Sequence, residues 1–395
     1  MEANDHVLAA VNQAYDIPDV SGKTIPKPIK SAGVIGCGTM GSGIAMCFGE
    51  ASIPVRIYET DGAVLEKGLS RITKTCAGAV KRGRITEAGM GTCLGLISGT
   101  DDIADLKDAD IVIEAVFEDL ELKKQVFGAL DKVCKPEAIL ATNTSTLDIN
   151  DIAAATARPD KVIGTHFFSP AHVMRLMENV RGRVTSAETI ATVMALSKRL
   201  GKVGVLVGVC DGFVGNRMYH RYTHQAGLLL EEGALPEQVD RVIRDFGFKM
   251  GPFAVGDLAG LDVGWRIRQE RAKLNPADGP TSPIADRLCE QGRFGQKTGA
   301  GWYKYEEGSR APISDPVVEA IILGLSEERG ITRRDIGDEE ILERCLNALI
   351  DEGKKILEEG IALRPGDIDV IWVFGYGFPP DRGGPMYYAD QAGLL

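Results

Sequence analysis

At 395 residues the chain is longer than one typical domain and calls for two or three units. Hydrophobic (44%) and charged (26%) fractions are ordinary for a globular protein, and a net charge of -11 argues against general nucleic-acid or anionic-membrane binding, while a local basic patch could still hold phosphates. Eight cysteines are scattered without a C-x-x-C pair, which reads as reduced thiols, with no disulfide framework and no metal site. Residues 1 to about 30 predict a short helix and then a linker holding Pro26 and Pro28. The acidic start has no signal-peptide or transit character, and no run of about 18 apolar residues exists to span a membrane. Ala392-Gly393-Leu394-Leu395 is not a peroxisomal tripeptide, so cytosol is the default, with peroxisome and mitochondrial matrix left open.

From about 31 to 211, apolar runs alternate with helical patterns, which predicts an α/β domain of Rossmann type, a parallel sheet wound on both faces. Strands are expected near 32–35, 55–58, 111–115, 138–141, 161–166 and 203–207. Gly36-Cys37-Gly38-Thr39-Met40-Gly41 follows the first of them and opens an alanine-rich helical stretch. Glu59 closes the second strand about 20 residues later. In that context the glycines suit a dinucleotide pyrophosphate seated on a helix N-terminus, and an acid at Glu59 suits the adenosine ribose diol and repels a 2′-phosphate, which selects NAD over NADP. The bland alternative is a glycine-rich βα turn with no ligand. A basic helical segment with Lys67, Lys74, Lys81, Arg82 and Arg84 lies between the second and third predicted strands.

After Asp211-Gly212 the pattern turns helical and repeats. Leu230-Glu231-Glu232-Gly233 recurs as Leu357-Glu358-Glu359-Gly360, Val239-Asp240 as Ile368-Asp369, and Phe246-Gly247 as Phe374-Gly375. Gly251-Pro252-Phe253 matches Gly384-Pro385-Met386, and the 257–261 run matches 390–394. The expected organisation is an N-terminal segment (1–30), a nucleotide domain (31–211) and two tandem all-α copies (212–305 and 306–395).

Ligands of open α/β sheets bind beyond the carboxyl ends of the strands, where Ser145 and His166 stand. Glu178 follows twelve residues after His166 and can return to it, and Asn216 opens the first helical copy. A histidine with a carboxylate on its far nitrogen is suited to removing an alcohol proton near neutral pH, with Ser145 and Asn216 to hydrogen-bond the oxygen. Taken singly, His166 could be a satisfied buried histidine and Glu178 a solvated helix residue.

The glycine loop, Asn143-Thr144-Ser145, Gly164-Thr165-His166-Phe167-Phe168-Ser169-Pro170, Glu178 and Gly212-Phe213-Val214-Gly215-Asn216-Arg217 together resemble the L-3-hydroxyacyl-CoA dehydrogenases of fatty acid β-oxidation. Gly295-Gln296-Lys297-Thr298-Gly299-Ala300-Gly301-Trp302-Tyr303 resembles that family's signature at the end of the first helical domain. The duplication points to the dehydrogenase portion of the multifunctional enzymes, whose hydratase/isomerase half would precede residue 1. The resemblance implies NAD-dependent oxidation of (S)-3-hydroxyacyl-CoA, with His166 as base, Glu178 as its partner, and Ser145 and Asn216 on the substrate oxygen. It implies NAD contacts from Gly36, Gly38, Thr39, Met40, Gly41, Glu59, Glu118, Lys123, Ser145 and Lys297, and CoA contacts from Thr75 and Arg82. For Glu118 and Lys123 the plain alternative is a solvated helix start; for 67–84 it is a solvated basic face. Two departures stand out: Glu59 replaces the family's usual Asp, and Ser169 stands where many single-copy members have Asn. Asn216 corresponds to Glu343 in the second copy, which therefore reads as structural. The implied partner is an acyl-CoA substrate, with no nucleic acid and no membrane, on a monomer whose two helical copies form an intramolecular pseudo-dimer. The alternatives are a dehydrogenase of free 3-hydroxy acids or of short hydroxybutyryl-CoA only, and a non-catalytic NAD-binding scaffold.

Overall fold

The computed structural model describes residues 2–274 and 282–394, so Met1, residues 275–281 of the first helical copy and Leu395 lie outside it. Contacts divide the chain into two compact units: Met1–Arg217 with Gly353–Tyr376 and Pro380–Leu395, and Met218–Glu352 with Gly377–Pro379. That division follows contacts, whereas the expected boundaries at 211/212 and 305/306 follow the sequence repeat.

The first unit is built on one eight-stranded sheet: β1 Ala32–Ile35, β2 Val55–Tyr58, β3 Ile97–Thr100, β4 Ile111–Glu114, β5 Ile139–Thr142, β6 Val162–Phe167, β7 Leu176–Arg181 and β8 Val203–Val207, in spatial order 3-2-1-4-5-6-7-8. Chain order reverses at β1, between β2 and β4, which creates the crevice where such sheets bind nucleotides. β1, β4, β5, β6 and β8 are buried at every position, as strands covered on both faces must be.

Two strands lie outside the sequence expectation. β3 is an edge strand, half exposed and carrying Ser98-Gly99, so it has no apolar pattern to read. β7 runs antiparallel to β6, and β8 parallel to β7, so the sheet is not parallel throughout. The connection from Phe168 to Arg175 is too short for a crossover helix, which needs a dozen or more residues; only a reversal fits.

The helices are α1 Ala3–Gln13, α2 Thr39–Glu50, α3 Gly62–Lys81, α4 Glu87–Gly95, α5 Leu120–Val133, α6 Ile149–Ala153, α7 Ala187–Arg199 and α8 Phe213–Glu232. They continue with α9 Pro236–Phe246, α10 Pro252–Ala259, α11 Leu261–Leu274, α12 Pro283–Glu290, α13 Pro316–Glu328, α14 Asp338–Glu358, α15 Pro365–Ile371 and α16 Pro385–Gln391. No helix among the described residues is long and apolar enough to cross a membrane.

The repeated Asp and Gly-Pro pairs have one physical role in both copies. In the second unit Asp240 accepts from the first-turn amides of α10, Phe253 N at 3.0 Å and Ala254 N at 2.9 Å. In the first unit Asp369 accepts likewise from α16, Met386 N at 2.7 Å and Tyr387 N at 3.2 Å. Each buried carboxylate thereby caps donors that a helix N-terminus leaves unpaired. The glycine before each proline lies so close that an added Cβ would sit 2.3 Å from the aspartate. The third ligand differs between copies. Tyr303 donates its hydroxyl to Asp240 at 2.9 Å, whereas His6 of α1 meets Asp369 at 2.8 Å.

Candidate active site

The nucleotide-type half of the site is set by backbone. Gly36 adopts φ +92°, where an L side chain is strained, and its amide donates to Tyr58 O at 2.9 Å. A Cβ on Gly41 would fall 1.9 Å from Gly36 O, so the third glycine is what lets α2 pack onto its own loop. Gly38 differs, because a Cβ there would meet nothing within 4 Å. It is the N-cap of α2 and makes no side-chain capping bond, which leaves open space and unspent amides at the helix start. Thr39 and Gly38 are exposed and Met40 is half-buried. Glu59 accepts from Cys37 N through Oε2 at 3.0 Å, tying the loop to the end of β2. This arrangement fits a dinucleotide: the crowded glycines hold the turn, while the uncrowded one leaves room for the pyrophosphate.

On the other side of the crevice, Glu118 organises the end of β5. Its Oε1 accepts from Thr144 Oγ1 at 2.6 Å, Ser145 N at 2.7 Å and Thr146 N at 3.0 Å. Burial pushes the Glu118 carboxyl up, but the Lys123 ammonium and those donors outweigh it and hold it below the ordinary carboxylate value. Lys123 is fully buried, with Nζ 2.7 Å from Glu114 Oε1 and 3.5 Å from Glu118 Oε2. Asn143 Oδ1 accepts from Phe167 N at 2.8 Å, stitching the ends of β5 and β6 together beside Ser145 and His166.

His166 and Glu178 are directly opposed across the antiparallel β6/β7 pair. His166 Nδ1 lies 2.7 Å from Glu178 Oε2, and both residues are buried, at 5% and 0% exposure. Glu178 is therefore a strand residue sealed in the sheet, not a solvated helix residue. Its second oxygen accepts from Gly215 N at 2.9 Å, in the first turn of α8, so one carboxylate links the histidine to the helix that carries Asn216. With Nδ1 engaged by a carboxylate, Nε2 is left as the reactive nitrogen. Phe168 and Phe213 pack on the ring, at centroid distances of 4.6 Å and 5.6 Å. Asn216 is half-buried, and its Oδ1 accepts from Tyr376 Oη at 2.7 Å.

The other expected residues stand as follows. Thr75 donates its hydroxyl to Arg71 O at 2.8 Å, within α3, and Arg82 is the exposed C-cap of that helix. Lys297 lies in the second unit, where its ammonium pairs with Asp262 Oδ1.

Residues 31–210 match the NAD-binding domain of 3-hydroxyacyl-CoA dehydrogenase, and residues 212–305 match its C-terminal domain. The dehydrogenase part of multifunctional enzyme 1 from C. elegans is 31% identical, with a TM-score of 0.67, covering 94% of this chain and 86% of that one. The chain belongs to the 3-hydroxyacyl-CoA dehydrogenase family. Its nucleotide domain is that family's NAD-binding domain. The structure of 3-hydroxybutyryl-CoA dehydrogenase from Escherichia coli is similar at 28% identity and a TM-score of 0.79, over 93% of this chain and 92% of that one. The peroxisomal bifunctional enzyme of Danio rerio is 49% identical over 381 residues, which are 93% of this chain and 52% of that protein. The chain thus spans about half the length of that relative.

Within this family site, sequence reasoning missed Glu114 and Tyr376. Glu114 had a local signal: a carboxylate closing the apolar run of β4, nine residues before a helical lysine. Tyr376 had none, being 160 residues from Asn216.

Proposed function

We propose that the chain interconverts (S)-3-hydroxyacyl-CoA and 3-ketoacyl-CoA with NAD. The observation that carries this reading is the sealed His166–Glu178 pair at the strand ends, with Asn216 attached through Gly215. Glu178 holds the imidazole in the tautomer whose Nε2 lone pair faces the reacting oxygen, and it stabilises the imidazolium that follows. The C3 hydroxyl proton passes to Nε2 as the C3–O bond becomes a carbonyl, with the Ser145 hydroxyl and Asn216 amide hydrogen-bonded to that oxygen. NAD+, when bound, supplies the acceptor for the C3 hydride. Gly36, Gly38, Thr39, Met40 and Gly41 would hold it with Glu59 on the ribose, and Glu118, Ser145 and Lys297 are the further contacts we assign, with the buried Lys123 acting on the cofactor side through Glu118. The basic face of α3, with Thr75 and Arg82, supports a site for the CoA phosphates.

The test is loss of NADH absorbance with acetoacetyl-CoA and with a long-chain 3-ketoacyl-CoA. Turnover on both is expected. Turnover on the short substrate alone would narrow the enzyme to hydroxybutyryl-CoA, and NADH binding without turnover would favour the free-acid or scaffold alternatives.

The repeat supports a division into a nucleotide domain and two tandem helical copies, with the copies pairing inside one chain. Light scattering should accordingly return the mass of a single chain, and a clean dimer mass would overturn this. The relatives' peroxisomal name supports that compartment alongside the cytosolic default.

A further inference from the structure

We propose that Tyr376, contributed by the second helical copy, is a positioning residue for Asn216 in the dehydrogenase reaction. The inference rests on the reaction proposed above. Tyr376 ends a π-helical turn, Trp372–Tyr376, an irregularity that recurs at functional positions in proteins. Its ring is clamped on two sides: Trp372 stacks on it with centroids 4.7 Å apart, and Phe168 meets it edge-on at 5.5 Å. Phe168 is the ring that also packs on His166. So held, the hydroxyl donates to Asn216 Oδ1 at 2.7 Å.

An asparagine amide can present either an acceptor or two donors to a ligand. With Oδ1 turned to the tyrosine hydroxyl, the Nδ2–H edge of Asn216 is the one left to meet a ligand. That is the group a carbonyl oxygen requires, and an inverted amide would set lone pair against lone pair. Tyr376 thereby holds the Asn216 amide in the orientation seen here, with the Nδ2–H edge toward the substrate side.

Three further observations point the same way. A Cβ on Gly215 would fall 2.4 Å from the Tyr376 ring, so the residue before Asn216 is bare where the ring passes. Arg217, the residue after, is held by both oxygens of Glu359 at 2.6 Å and 2.8 Å, again from the second copy. And the repeat pairs Phe374-Gly375-Tyr376 with Phe246-Gly247-Phe248, so the hydroxyl is a departure at a position where the first copy has only a ring. Packing alone would be served by phenylalanine.

The experiment compares wild type, Tyr376→Phe, Asn216→Ala and the double variant with acetoacetyl-CoA and NADH. Phenylalanine keeps the stack and the edge contact. Loss of one neutral hydrogen bond predicts a fall of roughly five- to tenfold in kcat/KM, with NADH affinity unchanged. In the Asn216→Ala background, Tyr376→Phe should cost nothing further, because its effect runs through the amide. A tyrosine with a merely structural role would lower both backgrounds equally. Additive losses, a wild-type rate in Tyr376→Phe, or loss of NADH binding in that variant would each overturn the inference alone. No turnover by the wild type would remove the proposed reaction and this inference together.

Discussion

Replacing His166 with Gln is expected to lower turnover about a thousandfold while leaving NADH affinity intact, since positioned general bases contribute about 10²–10⁴. The choice of Gln matters. Glu178 is wholly buried, and with Gly215 N as its one remaining donor among the described residues, a truncated residue 166 would strand part of its charge. An unsatisfied buried group costs about 1–3 kcal/mol, or more when ionised, so alanine would mix a folding defect into the kinetics. Glutamine can still donate to Glu178 Oε2 and offers no proton acceptor of imidazole basicity. The glycine loop and Glu59 are built on β1, β2 and α2, away from the β6/β7 pair, which is why cofactor binding should survive. Stopped-flow NADH oxidation with acetoacetyl-CoA, beside fluorescence titration of NADH, measures both. A thousandfold loss is about 4 kcal/mol of transition-state stabilisation. A variant within a few-fold of wild type would show that another group takes the proton.

What the sequence made legible divides by how local each constraint is. Gly36 and Gly41 answer to the backbone within one turn: a positive φ and a 1.9 Å approach. Residues so constrained leave a readable signature. His166 was legible as a polar residue closing a buried strand. Glu178 is legible as a carboxylate that can return to His166, but β7 itself is not, because Glu178-Asn179 interrupts its apolar run and both are buried against partners supplied by other segments. Asn179, for instance, donates to Ser197 Oγ of α7 at 3.0 Å. The reading of the second copy as structural rested on the replacement of Asn216 by Glu343, which says that the copy has no site of its own. It is silent on contacts that the same segment makes elsewhere, such as the Tyr376 hydroxyl on Asn216 Oδ1. Lys123 was expected at the cofactor; its ammonium is enclosed by Glu114 and Glu118, so any effect it has on a ligand passes through Glu118 and the Ser145 loop.

That enclosure makes Lys123→Met the substitution with the largest expected cost to stability, about 3–5 kcal/mol in urea denaturation. Glu114 has no exposure and takes Lys123 Nζ on both oxygens, at 2.7 Å and 3.0 Å, beside Val116 N at 2.6 Å and Thr142 Oγ1 at 2.7 Å. Without the ammonium, a carboxylate stays sealed in the sheet with dipoles but no counter-charge. The penalty is the stranded charge more than the lost pair, so Glu114→Gln added to Lys123→Met should recover most of the loss, since glutamine keeps an oxygen for Val116 N and can donate to Thr142. The pH dependence follows from Glu118, whose carboxyl is held below its ordinary value in the folded chain. A lowered folded pKa gives stability that is fully present above the unfolded pKa and is lost as pH falls through the folded one. After burial, which raises it, Lys123 is the largest influence on that carboxyl and the first of those lowering it, so in Lys123→Met the lowering, and the stability that goes with it, shrinks. The gap between wild type and variant should therefore be widest near neutrality and narrow in acid, where the wild type loses the Glu118 contribution as well. A gap that stayed constant with pH, or a double variant as unstable as Lys123→Met, would mean that the lysine contributes by packing its methylenes and not by balancing charge.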